Sequence, residues 1–249
     1  MKYSLIPLLC ACTSVYGQSA TTYMPEGTTD VDLGVAAAIV PRAEGRADSR
    51  VVVLPTVSAQ WSNGIFAAPG EVGMHLSRNP RWQFGPLLTY GPKPERADTR
   101  RTRNDWGLEG GGFLSYRLAH NIGLSSQLLY GGGNDGHGAR FTASAGYGID
   151  LSSHQSLGLR LGFTVVNTSY MDSYFGVSPA QSGPRRAVYV PGGGLKNLFA
   201  GVHWNVELST KFALTTGVTE SRLAHAAADS PLVNSPHNVS LFTQLAYHF

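Results

Sequence analysis

Asn238-Val239-Ser240-Leu241-Phe242-Thr243-Gln244-Leu245-Ala246-Tyr247-His248-Phe249 closes the chain, and its alternation decides the fold. Val239, Leu241, Leu245, Tyr247 and Phe249 share one face, interrupted by Thr243; Asn238, Ser240, Gln244 and His248 share the other. Successive side chains of a strand point to opposite faces, so the stretch reads as a strand with one apolar and one polar side. Its length suits a membrane-crossing strand of about 9–11 residues, apolar outward and polar toward a lumen.

The pattern recurs upstream. Phe141, Ala143, Ala145, Tyr147, Ile149 and Leu151 alternate with Arg140, Thr142, Ser144, Gly146, Gly148 and Asp150. Leu157 to Val165, Leu198 to Leu208 and Trp106 to Tyr116 follow the same rule. The non-apolar face is mostly Gly, Ser, Thr and Ala, which suits a narrow, crowded lumen. A soluble sandwich would put many more Lys, Glu and Thr there. Trp61, Trp82, Tyr90, Trp106, Tyr116, Tyr130, Tyr147, Trp204 and Tyr247 mostly fall near strand ends on the apolar face, where interfacial girdles form. The terminal Tyr247-x-Phe249 resembles the C-terminal signal of bacterial outer-membrane barrels.

Composition agrees. Lys, Arg, Asp and Glu make up 14% of 249 residues, against about 25% in an average soluble domain. Hydrophobic content is 42% and the formal net charge is +3, which excludes a disordered chain and gives no electrostatic basis for nucleic-acid binding. No stretch reaches the roughly 18 consecutive apolar residues of a membrane helix. A closed barrel is the other structure that satisfies every backbone group in lipid.

Met1-Lys2, the apolar run Leu5 to Cys12 and the small residues after it read as a secretory signal peptide over 1–17, with cleavage as late as 20, and a single barrel domain over 18–249. Processing as a lipoprotein at Cys12 is the alternative. Both cysteines, Cys10 and Cys12, lie in this leader, so the mature chain has neither a disulfide framework nor a thiolate metal site.

Turn signals divide the mature chain into twelve strands: 30–40, 50–61, 64–68, 71–77, 81–90, 105–118, 121–131, 138–151, 155–167, 194–208, 211–222 and 237–249. An even count puts both termini on one side, with short turns at 119–120, 152–154 and 209–210 beside them and long connections at 91–104, 168–193 and 223–236 opposite. Pro69 and Gly70 divide 64–77 into a hairpin; one bulged strand is the alternative, and it would break the parity. The connection 168–193, with Tyr170, Tyr174 and Phe175 closely spaced, is read either as a short helix covering the mouth or as an irregular loop.

Ser169-Tyr170-Met171-Asp172-Ser173-Tyr174-Phe175-Gly176-Val177-Ser178-Pro179-Ala180-Gln181-Ser182 resembles a segment of the MipA/OmpV family. Gly193-Gly194-Leu195-Lys196-Asn197 and Ala228-Asp229-Ser230-Pro231-Leu232-Val233 resemble two further elements of that family, and Pro41-Arg42 through Arg50 resembles its first loop without the two tyrosines. The resemblance implies a non-enzymatic barrel of the bacterial outer membrane, in contact with lipid and lipopolysaccharide. It further implies a scaffold linking a lytic transglycosylase to a penicillin-binding protein in murein synthesis, with a narrow solute channel as the alternative. It implies no catalytic residue and no cofactor.

Five ions point to the lumen in this reading: Glu109, Arg117, Arg140, Asp150 and Arg160. They either pair and plug the barrel or line a narrow anion-preferring pore. Lys93, Arg96, Arg100, Arg101 and Arg103 form a basic run in a long loop, placed to meet lipopolysaccharide phosphates or simply to be solvated. His203, Asn205 and Glu207 share a lumen face but have no serine elbow for a hydrolase. Asn134-Asp135-Gly136 beside His137 is a turn signal before it is a metal site.

Overall fold

The computed structural model describes residues 26–92, 106–133, 135–184 and 186–249. The N-terminal segment read as a signal peptide, with Cys10 and Cys12, and the basic run Lys93, Arg96, Arg100, Arg101 and Arg103 lie outside the described residues.

Twelve antiparallel strands close into one barrel, each paired with its sequence neighbours and the first with the last. They are β1 (Thr29–Pro41), β2 (Ser49–Trp61), β3 (Ile65–Ala68), β4 (Glu71–Met74), β5 (Trp82–Pro92), β6 (Trp106–Ala119), β7 (Ile122–Gly132), β8 (Gly138–Ser152), β9 (Gln155–Val166), β10 (Gly194–Glu207), β11 (Phe212–Leu223) and β12 (His237–His248). Closure runs through eight register pairs between β1 and β12, from Asp32↔His248 to Ile39↔Leu241. It seats the C-terminal strand with its apolar face outward. Closure removes the sheet edges that lipid would not tolerate.

Residues 64–77 form the hairpin β3–β4 turning at Pro69-Gly70, not one bulged strand. Both strands are four residues long. β4 stops at Met74, short of the expected 77, because the chain crosses between neighbours there: the His75 amide bonds Gly64 and the Leu76 amide bonds Phe84. Only Ala59 and Gln60 of β2 pair with β3.

The outer face is apolar and open, with Val51 71% and Leu161 65% exposed. Aromatic pairs mark the end that carries the short turns: Trp82 and Tyr116 at 4.2 Å between ring centroids, and Phe212 and Tyr247 at 5.1 Å. Tyr90 and Tyr130, also exposed, lie toward the end that carries the long loops.

Glycine is abundant for a packing reason. Several lumen glycines stand opposite a ring on the next strand: Gly217 faces Phe242, Gly162 faces Phe199 and Gly158 faces His203, and Gly73 faces Phe66. Each ring lies in the space a Cβ would need; at Gly217 the Phe242 ring comes within 2.6 Å of it. The lumen is therefore less polar than alternation suggests. Ala38, Val40, Val52, Leu54 and Phe242 cluster on the inward faces of β1, β2 and β12.

Candidate functional site at the sealed mouth

Inward side chains change from exposed to buried along the barrel. On β1 the order is Asp30 exposed, Asp32 half-buried, then Ala36, Ala38 and Val40 buried. On β12 it is His248 exposed, Gln244 half-buried, then Phe242, Ser240 and Asn238 buried. On β10 it is Glu207 exposed, His203 and Phe199 half-buried, then Asn197 buried. Open ends lie beside the short turns and closed ends beside the long loops. The lumen is a cup, open at the turn end and sealed at the loop end.

The seal is built on α1 (Thr168–Phe175), so the connection 168–193 does begin with a short helix over the mouth. Asn167 starts it. Its Oδ1 accepts from the Tyr170 amide at 3.0 Å and from the Ala139 amide at 2.9 Å. Its Nδ2 donates to the His137 carbonyl at 2.9 Å. One side chain thus caps the helix and fixes it to the β7–β8 turn. Tyr170, Met171, Tyr174 and Phe175 pack with Val166, Leu223 and Ala227 into one buried cluster, with Val233 against it. Met171 and Phe175 are each 1% exposed. The β11–β12 loop, with its short helix α2 (His225–Ala228), completes the seal. Ser230 Oγ donates to the Phe175 carbonyl at 2.6 Å, and Tyr189 Oη donates to the Ala226 carbonyl at 2.8 Å. The β1–β2 loop joins through Gly45, at φ 82°, whose carbonyl accepts the amides of Asn234 and Ser235.

Beneath α1 lie two ion pairs. Arg140 Nη2 and Glu109 Oε2 are 2.5 Å apart. Lys196 Nζ and Glu44 Oε1 are 2.7 Å apart, with the ammonium 5.5 Å from the centre of the Tyr170 ring. Lys196 occurs where the β9–β10 register shifts between Leu195 and Asn197, so its side chain turns to the seal. Burial holds the Tyr170 phenol protonated well above the usual tyrosine range, with Glu44 adding to the effect and Arg140 opposing it. Tyr174 is raised too, first by burial and then by Tyr170.

The five lumen ions therefore divide. Glu109 and Arg140 meet. Arg160, on β9, donates from Nε to Ser144 Oγ at 3.0 Å, and its guanidinium lies 5.5 Å from the Phe199 ring centre. Arg117 and Asp150 are exposed at the turn ends of β6 and β8, without an ion pair among the described residues. In the β7–β8 turn, Asp135 accepts the His137 amide at 3.0 Å, and His137 Nδ1 meets Tyr130 Oη at 2.9 Å. Asn205 accepts from Thr215 at 2.6 Å.

Residue-by-residue reading missed Asn167, Lys196 and Glu44 as parts of a site. A signal existed for three of the segments involved: the stretches 169–182, 193–197 and 228–233 that carry the family resemblance supply α1, Lys196 and the Ser230 tie. Glu44 lies in the stretch 41–50 that also resembles the family, but its role was not legible there, because its partner is 152 positions away.

A family model described as MltA-interacting protein MipA matches residues 33–249. A comparison with curated proteins found no match. Among solved structures, the NanC porin is 11% identical with a TM-score of 0.52, over 86% of this chain and 98% of that one. A bacterial polysaccharide outer membrane secretin is 9% identical, also at 0.52, over 88% of this chain and 98% of that one. At these identities the likeness is one of fold, an outer-membrane-type barrel.

Proposed function

Since the chain belongs to the MltA-interacting protein MipA family, we propose that it is a non-enzymatic scaffold of a bacterial outer membrane, with the turn end of its barrel toward the periplasm. There it engages murein enzymes, a lytic transglycosylase and a penicillin-binding protein. One observation supports this reading: among the described residues the lumen is closed at the loop end and open at the turn end, the end that this reading turns toward the murein. The turns themselves are short, which leaves little loop surface for a partner. The rim supplies it instead, through Asp30, Arg117, Asp150, Glu207, Lys211 and His248, all exposed.

The test is capture of a lytic transglycosylase from a periplasmic extract by the refolded mature protein, with an unrelated barrel as control. Retention that is lost in the rim variant Arg117→Glu/Lys211→Glu, and kept in the loop variant Val190→Ser, is the expected result. Retention no better than the control overturns the scaffold.

A second reading, a narrow channel for small solutes, has its own support. The lumen carries hydroxyl and amide pairs along its length, such as Ser125 with Ser144 at 2.8 Å and Asn197 with Ser221 at 2.7 Å, and the fold is shared with a porin.

A further inference from the structure

The seal is made of unlike materials. Its upper part is apolar, the cluster of Met171, Phe175, Leu223 and Ala227. Directly below are ions, Glu109 with Arg140 and Lys196 with Glu44. Below those come hydroxyl and amide side chains such as Thr142, Thr164, Asn197 and Ser221. A plug that only had to stay shut would be better filled with apolar side chains, since replacing buried ion pairs by well-packed hydrophobes is often neutral or stabilising. Two polar atoms at this level, Arg140 Nε and Asn197 Oδ1, are buried and make no hydrogen bond among the described residues.

The lid is also held in a way that can be undone. No strand pairing ties α1 to the wall. Besides the packing of its buried face on Val166 and Leu223, single side-chain bonds do so: Asn167 to the β7–β8 turn, Ser230 to Phe175 and the Gly133 amide to Tyr174 Oη at 3.3 Å. The segment rejoins the barrel through Gly192-Gly193-Gly194, with Gly194 at φ 146°. Few residues are better suited to absorb a large backbone change at the foot of a lid.

We propose that the protein has a second activity as a gated pore. α1 lifts about the Gly192–Gly194 run and opens the cup for small, uncharged hydrophilic solutes. Charge at the gate is balanced, two cations against two anions, so the passage carries no strong preference of sign. The proposal builds on the channel reading and is independent of the scaffold reading, whose test addresses the opposite rim.

A disulfide lock tests it. The mature chain over 18–249 has no cysteine, and a Cβ placed on Gly133 lies 3.4 Å from Ser173 Cβ, close to the roughly 3.5–4.5 Å of a disulfide. Gly133→Cys/Ser173→Cys would therefore tie α1 to the β7–β8 turn. The readout is liposome swelling in arabinose, with folding confirmed by heat-modifiable gel mobility. The reduced double variant should swell like wild type, and the oxidised form at least tenfold more slowly, with recovery on reduction. Glu44→Gln/Lys196→Gln, which dismantles one latch, should swell several-fold faster than wild type. Equal swelling of oxidised and reduced forms overturns the gate. So does swelling no faster than protein-free liposomes in both wild type and the latch variant. If Gly133, at φ 82°, does not accept a side chain, the latch variant decides alone. Transglycosylase capture should be the same in all these forms, so failure of the gate and failure of the scaffold are separately visible.

Discussion

Lys196 Nζ lies 2.7 Å from Glu44 Oε1, an ion pair that joins β10 to the β1–β2 loop across 152 positions of sequence. The two sides are unequal: the Lys196 side chain is 6% exposed and that of Glu44 is 32% exposed. Glu44→Gln would strand a buried ammonium and should cost toward the lower end of the roughly 3–5 kcal/mol seen when one partner of a buried pair is removed. Lys196→Met leaves a carboxylate that can reach water and should cost about 1 kcal/mol. Urea unfolding of the refolded protein, followed by near-ultraviolet circular dichroism, compares the two; equal costs would contradict the asymmetry.

Gly217 and Phe242 are register partners, and the ring fills the space of the missing side chain. Gly217→Val should destabilise the barrel by about 1–3 kcal/mol through overpacking. Adding Phe242→Ala should recover part of that loss, so that the double variant is more stable than the sum of the two singles predicts. Strict additivity, measured by heat-modifiable mobility against temperature, would mean that the ring is not what keeps this position small.

Asn167 is the cap of α1 and its tie to the wall. Asn167→Ala should cost about 1–2 kcal/mol, concentrated in the seal. Limited proteolysis should cut between residues 168 and 193 several-fold faster while the strands stay protected. Unchanged cleavage would place the anchor elsewhere.

The two phenols of the seal respond to alkali. Tyr170 and Tyr174 have pKa values raised in the folded protein, first by burial. An unfolded tyrosine loses its proton near about pH 10, so above that pH the unfolded state binds fewer protons than the folded one and stability falls as pH rises. The contribution is fully present below about pH 10. Absorbance at 295 nm should show these two phenolates appearing together with loss of the seal, later than the exposed tyrosines. Tyr170→Phe/Tyr174→Phe should remove the delayed step; its persistence would assign it to other tyrosines.

The alternation from Asn238 to Phe249 was enough for strand, face and membrane, because a period of two admits one geometry and lipid admits one closed form of it. Strand parity then assigned the turns, and the hairpin at Pro69-Gly70 was legible from two backbone-specific residues. Where the lumen ions would meet was not. Glu109 and Arg140 lie on β6 and β8, and alternation shows only that both point inward. Phe199 and Phe242 broke the polar face without showing why; the reason is a glycine on the next strand.

The sequence by itself determined an outer-membrane-type barrel of twelve strands, its outward face and its family, since these follow from local periodicity and contiguous motifs. The tertiary structure alone decided that the mouth is sealed. That outcome depends on side chains from the β1–β2, β9–β10 and β11–β12 loops and the strand ends beneath them, Glu44, Arg140, Asn167, Tyr170, Lys196 and Ser230, meeting in one layer. Loop closure over such separations obeys no period, and only the register of twelve strands brings those residues within reach.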